Sequence, residues 1–183
     1  ALTLLFGAAL VDLIGMRRML LFAAWGYFFG SALILAASFM SPTMAVYWVI
    51  YLGLLLTGLG WGAVEAATNP LVAAAYPEEK THRLNILHAW WPAGIVIGGL
   101  IGIFVAGVQW PWQVNLLVLM APAVILLVMV QRAEFPVTER VAMGVSYRAM
   151  FRQLIESPGF WIWFICMMGT VTAELAPSQW VNV

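Results

Sequence analysis

The chain has 183 residues, of which 64% are hydrophobic and 9% charged, and its 8 basic residues balance its 8 acids. Its mean hydropathy is +0.96. A soluble domain carries about 25% charged residues, so an ordinary water-soluble fold is excluded, and a zero charge balance supplies no basic field for nucleic acid. The single cysteine, Cys166, leaves no internal disulfide framework, and His82 and His88 show no metal-ligand spacing, so neither metal nor cofactor is expected.

A helix of ~20 apolar residues crosses ~30 Å of hydrocarbon. In chain order, the first apolar segment ends near Ile14 and is half of a span. Fuller segments follow at 19–40, 44–76, 84–108 and 113–131, and 159–183 is most of another. The first begins and the last stops without a cap or polar tail, so both ends read as cut. The remainder of its own chain is then an expected partner, together with the lipid bilayer. Isolated strands leave backbone groups unpaired in lipid, and the runs lack the alternation of barrel strands. An all-α, polytopic transmembrane helical bundle is the expected fold.

The links are short and marked: Ser41-Pro42-Thr43, then 77–83, then Gln109-Trp110-Pro111-Trp112. The longest, 132–157, is polar and charged, and predicts an amphipathic surface helix over 147–155 with Arg148 and Arg152 at i,i+4. Every basic residue obeys one rule. Arg17, Arg18, Lys80, Arg83, Arg132, Arg140, Arg148 and Arg152 all fall in alternate links. Cytoplasmic loops retain Lys and Arg, so this side is expected to be cytoplasmic. Trp110 and Trp112 fall at the opposite interface, where indoles prefer to lie.

Three acids depart from that sidedness: Asp12, Glu65 and Glu174. Asp12 is near the cytoplasmic end of its segment and is expected to be solvated. Glu65 lies ~16 Å inside its helix and Glu174 ~24 Å past Pro158, at ~1.5 Å per residue. A carboxylate at such depth costs several kcal/mol unless it faces a polar cavity, pairs or takes up a proton. An acid reached from alternate sides can therefore carry a proton.

Trp61, Glu65 and Asn69 share one helical face at i, i+4 and i+8. Pro70 removes a helical hydrogen bond and frees a carbonyl near that level. On the next, antiparallel helix stand Asn85 and His88, then Trp90, Trp91 and Pro92. Counting outward from the link puts Asn69 near Trp90 and Glu65 near Gly94. Aromatic faces beside amide, imidazole and carboxyl groups suit a neutral polyol or sugar. Glu174 begins a similar cluster with Pro177, Ser178, Gln179 and Trp180. Several readings stay open at this level. His88 is either an interhelical hydrogen-bonding group or a ligand; Asn69 is either a kink device or a ligand. One of Trp90 and Trp91 is packing, since they stand ~100° apart. The spacings Gly26/Gly30, Gly58/Gly62 and Gly94/Gly98/Gly102 predict close helix packing.

The run Gly7-Ala-Ala-Leu-Val-Asp12-Leu-Ile-Gly15-Met-Arg17-Arg18 resembles the signature loop between the second and third helices of the major facilitator superfamily. Asp12, Gly15, Arg17 and Arg18 match that pattern; Ala8 replaces its first glycine and Leu13 a basic residue. The resemblance implies a partial major facilitator fold running from the second helix to the seventh. Residues 1–131 would be helices of the first half, 132–157 the cytoplasmic interdomain loop, and 158–183 the first helix of the second half. Asp12, Gly15, Arg17 and Arg18 would form a gating loop.

Glu65-Ala-Ala-Thr-Asn69-Pro70 followed by Arg83-Leu84-Asn85 resembles the fucose-permease-like branch of sugar–proton symporters. His88 and Trp91-Pro92 depart from that branch, which leaves the particular substrate open. The implied function is secondary active transport of a small neutral solute, a sugar, coupled to protons by alternating access in a bacterial cytoplasmic membrane. Glu65, Asn69, Asn85, His88 and one of Trp90/Trp91 would line the path, with Glu174, Gln179 and Trp180 closing it. The competing readings are a drug or metabolite exporter of the same fold, a ligand sensor that does not transport, and a membrane-embedded enzyme. The last needs a nucleophile–base pair or metal ligands within the spans, and none is visible, so no enzymatic activity is expected.

Overall fold

The computed structural model describes residues 2–180, with side chains described for residue 7 and residues 9–170, 172 and 173. Its elements are α1 (Leu2–Ile14), α2 (Met16–Ala37), α3 (Met44–Ala75), α4 (Lys80–Gly107), α5 (Gln113–Arg132), α6 (Glu139–Ala142), α7 (Tyr147–Glu156) and α8 (Pro158–Trp180). No strand occurs among the described residues, in agreement with the expected all-α bundle. Helices α2 to α5 are each long and apolar enough to cross a membrane. The chain divides into two compact units, Ala1–Ala142 and Met143–Val183.

In the first unit α2 is central. It lies along α3 and against α5, while α1 packs on α3. Small residues allow the α2–α3 contact. A Cβ on Gly30 would stand 2.7 Å from the Gly53 carbonyl oxygen, and one on Gly60 would stand 2.9 Å from that of Ala23. Only hydrogen fits there, so the backbones touch and dispersion acts over the whole crossing. The core beneath is Val11, Met16, Met19, Leu20, Ala23, Ala63, Ala67 and Val130. Gly26 and Gly30 therefore pack as their spacing predicts. Gly94, Gly98 and Gly102 do not: a Cβ on any of them would meet nothing within 4 Å, because α4 touches its neighbours in this chain over few residues.

Gly15 alone separates α1 from α2, at φ 88° and ψ 151°. That backbone region is open essentially only to glycine. Proline interrupts three spans from within, at Pro70, Pro92 and Pro122. The first turns of α3 carry an aromatic group: Tyr47 and Tyr51 stack at 6.4 Å, with Trp48 edge-on to both at 5.4 and 5.8 Å.

Two links differ from their expected extent. Hydropathy assigns 77–83 to a loop, but α4 already begins at Lys80. Charged residues can be helical outside hydrocarbon, where a hydropathy reading does not see them. Arg83 Nε donates to Glu79 Oε2 at 2.9 Å and its guanidinium lies 4.7 Å over the Tyr76 ring, which ties this turn together. The expected long link divides as well. Residues 133–142, including α6, form a strap that packs with the first unit, where Phe135 reaches the core.

The second unit contains α7 and α8, joined by Ser157 alone. Ser146 caps α7, its hydroxyl accepting from the Ala149 N–H at 3.2 Å. Trp161 Nε1 donates to the Ile155 carbonyl at 2.9 Å, an end-of-helix acceptor with no intrahelical donor. The surface helix expected over 147–155 is present and one residue longer.

Candidate functional site

Two groups of polar residues stand out in the first unit, one inside the spans and one at the basic end. The inner group is organised by Pro70, which cannot donate to the helix and leaves a carbonyl of the preceding turn without its usual partner. Side chains just before the proline turn back on the same region. Thr68 Oγ1 donates to the Val64 carbonyl at 2.9 Å, and Asn69 Nδ2 donates to the Glu65 carbonyl at 3.4 Å. The second contact is long and weak. Asn69 Oδ1 is buried and has no hydrogen-bond partner. An amide oxygen in that state costs ~1–3 kcal/mol, so the position is held at some expense of stability.

Glu65 is half-buried, four residues before Asn69. Across the gap, Trp61 of α3 stacks on Trp91 of α4, with ring centroids 5.6 Å apart and 25° between planes. Trp91 is thus the tryptophan that meets α3, while Trp90 points elsewhere and is 65% exposed. Asn85 and His88 are exposed on α4. At ~100° per residue, Asn85, His88 and Trp91 follow one stripe of that helix and Trp90 falls on the other side.

The Trp61–Trp91 contact also sets the register. Four residues on from Trp61 along α3 and four back from Trp91 along α4, Glu65 comes level with Leu87, beside His88. The expectation of Gly94 opposite Glu65 is corrected by about two turns. It failed because the α3–α4 turn is tighter than the assumed loop, with Lys80–Arg83 already helical. Trp61, Glu65 and Asn69 thus share one stripe of α3, Trp61 meets Trp91 of α4, and His88 stands near the level of Glu65. The side chains of Glu174, Gln179 and Trp180 lie outside the described residues, although their backbone belongs to α8.

The second group surrounds Asp12. Its carboxylate accepts from the Thr138 hydroxyl and from Arg140 Nε, the latter at 2.5 Å. The Asp12 side chain is only 8% exposed and that of Arg140 19%. Asp12 is thus buried and paired, which corrects the expectation that it is solvated; the strap covers it. Beside it Arg17 Nη2 donates to the Gln131 carbonyl at 2.7 Å, joining the start of α2 to the end of α5. Lys80 pairs with Glu139, which fastens the strap to α4 as well. Arg18 is exposed. A cleft of about 470 Å³ opens here, lined by Asp12, Gly15, Arg17, Phe135 and Thr138 among others.

Sequence reasoning missed Thr138, Arg140 and Gln131 as partners of the loop. A usable signal was present in Thr138-Glu139-Arg140, just past α5, whose charges complement Asp12 and Lys80. It also missed a mostly apolar cavity of about 500 Å³ between α2, α3 and α5, where Tyr27, Ser31 and Thr57 place hydroxyls. Among the described residues no three His, Cys, Asp or Glu side chains gather to hold a metal ion.

A loop with this aspartate, glycine and arginine pair joins α1 to the spanning helix α2, and the Major Facilitator Superfamily model matches the whole chain, residues 1–183. The chain belongs to the Major Facilitator Superfamily. As a superfamily member it is an integral membrane protein, consistent with its apolar helices. A stretch of 94 residues is 36% identical to the tetracycline resistance protein, class E, of Escherichia coli. That stretch is 51% of this chain and 21% of that protein. No solved structure matches the chain at a comparable level.

Proposed function

We propose that this superfamily chain serves a secondary active transporter that moves a small neutral solute, a sugar, in symport with protons by alternating access. The observation that carries the reading is the unpartnered Asn69 Oδ1, buried one turn from Glu65 on a proline-interrupted helix. Polar groups left unsatisfied within a span are held for a ligand, an ion or a proton path. Glu65 exchanges the proton or accepts solute hydroxyls, and Asn69, Asn85 and His88 hydrogen-bond the solute. Trp91, stacked on Trp61, offers a ring face to sugar C–H groups, and Trp90 takes no part in the path. This is the chemistry expected of the fucose-permease-like branch.

Asp12 and Arg17 tie helix ends on the basic side, which is the cytoplasmic face of a bacterial inner membrane in this reading. The Asp12–Arg140 pair stabilises the state in which these ends are gathered. The test is Glu65→Gln in the intact protein, reconstituted in proteoliposomes under an imposed pH gradient. Proton-driven accumulation is expected to vanish while solute exchange without a gradient persists. Normal accumulation in that variant removes Glu65 from the mechanism.

A second reading has its own support in the likeness to a tetracycline resistance protein. Here the stacked indoles face a polycyclic drug and movement is outward. Everted vesicles separate the two. Proton-driven uptake of tetracycline into them, with no sugar transport, favours the exporter.

A further inference from the structure

We propose that the outer face of α2 seats one anionic phospholipid of the membrane leaflet on the basic side, with Arg18 on its phosphate and an acyl chain laid along Phe22, Trp25 and Phe29. The inference rests on α2 spanning the membrane and not on the identity of any solute. At ~100° per residue, Arg18, Phe22, Trp25 and Phe29 fall within an arc of ~60°. That arc faces away from Met16, Leu20, Ala23 and Gly30, the buried stripe through which α2 meets its neighbours. Phe22 is 48% exposed, Trp25 44% and Phe29 52%.

Three observations select a lipid as the occupant. The first is unmatched charge. Arg17 and Arg18 open α2, and Arg132 closes α5. The Arg17–Gln131 hydrogen bond at 2.7 Å sets those two helix ends side by side. Among the described residues none of the three arginines pairs with an acid, and the Asp12 carboxylate is already taken by Arg140. Guanidinium groups gathered at one boundary repel one another unless an anion joins them, and a phosphate diester accepts bidentate hydrogen bonds from arginine.

The second is length. From Arg18 to Phe29 the helix rises ~16 Å, and one leaflet of a ~30 Å hydrocarbon layer is ~15 Å deep. The stripe thus runs from headgroup level to the middle of the bilayer, the reach of one acyl chain. The third is the surface itself. Indoles favour the interface, yet Trp25 stands ~10 Å below Arg18. There it stacks on Phe29 at 5.1 Å with 17° between planes, and Phe28 meets the two rings edge-on at 6.0 and 5.6 Å. Interlocked rings make a flat wall that an extended chain contacts along its length. A second copy of this chain fits the face poorly. Copies related by an axis along the membrane normal would set Arg18 against Arg18, and α2 carries no carboxylate to meet it.

The experiment uses the intact protein in two arms. In the first, native mass spectrometry in detergent compares retention of phosphatidylglycerol with that of phosphatidylcholine of equal chain length. Phosphatidylglycerol is expected to be retained preferentially, with the preference about fivefold lower in R18Q and largely kept in R18K. Equal retention of both lipids, or an undiminished preference in R18Q, overturns the proposal. In the second arm, phosphatidylglycerol with a diazirine midway along one acyl chain is reconstituted with the protein in nanodiscs and illuminated. Adducts are expected to concentrate on the peptide carrying Phe22, Trp25 and Phe29, and to be competed away several-fold better by unlabelled phosphatidylglycerol than by phosphatidylcholine. Adducts spread evenly over the spans overturn the proposal. So does a disulfide-linked dimer of Trp25→Cys in a Cys166→Ser background, which would assign the face to a second copy.

Discussion

Removing Arg140 tests whether the strap holds the signature loop through charge. Arg140→Gln leaves the Asp12 carboxylate, 8% exposed, without the guanidinium at 2.5 Å. Breaking a fully buried pair costs ~3–5 kcal/mol. Arg140 keeps about a fifth of its surface in solvent, so ~2–4 kcal/mol is the expected loss. Asp12→Asn in addition removes the stranded charge, and the double variant is expected to recover part of the loss, with a coupling of ~1–3 kcal/mol. Reversible unfolding in mixed micelles, followed by tryptophan fluorescence, measures all four corners of the cycle. A coupling under ~0.5 kcal/mol would mean that the two side chains are neighbours without a shared role.

Other consequences are open to measurement. Gly15→Ala forces a side chain into a backbone region at φ 88°; a loss of ~1–3 kcal/mol is expected in the same unfolding assay. Gly30→Leu drives a side chain into the Gly53 carbonyl and should lower yield and stability, whereas Gly98→Leu should be tolerated, since a Cβ at Gly98 meets nothing within 4 Å in this chain. Equal effects of the two, read by size-exclusion profile and melting temperature, would contradict the packing described. Trp91→Ala is expected to weaken solute binding roughly tenfold, in line with the ~0.5–1.5 kcal/mol of a stacked aromatic contact. Trp90→Ala should leave solute affinity unchanged, and competition binding on the purified protein distinguishes them.

The spans, their order and the confinement of basic residues to alternate links were legible because they follow from the cost of charge and unpaired backbone in hydrocarbon. Those costs act residue by residue and leave a linear trace. What could not be seen depends on distance between segments. The Asp12–Arg140 contact joins residues 128 positions apart, and their complementary charges mark both ends without saying that they meet. The level of Glu65 against α4 depended on where the turn ends, and hydropathy misjudged that by treating Lys80–Arg83 as a loop. Glycine spacing was informative for α2, whose partner is present along its length, and uninformative for α4, which meets few neighbours in this chain. Trp90 and Trp91 were separable only once the ring on α3 was located.

Helix α3 has 32 residues, or ~48 Å at ~1.5 Å per residue, against a hydrocarbon layer of ~30 Å. Aromatic rings mark a water boundary, so the Tyr47/Trp48/Tyr51 group fixes where the surplus length must go. Measured from Tyr51, the opposite boundary falls ~20 residues on, near Leu71. Glu65 then sits ~9 Å from the basic-side water and ~21 Å from the other side. Its carboxyl is off-centre, and opening a hydrated route to it is a short excursion in one direction and a long one in the other.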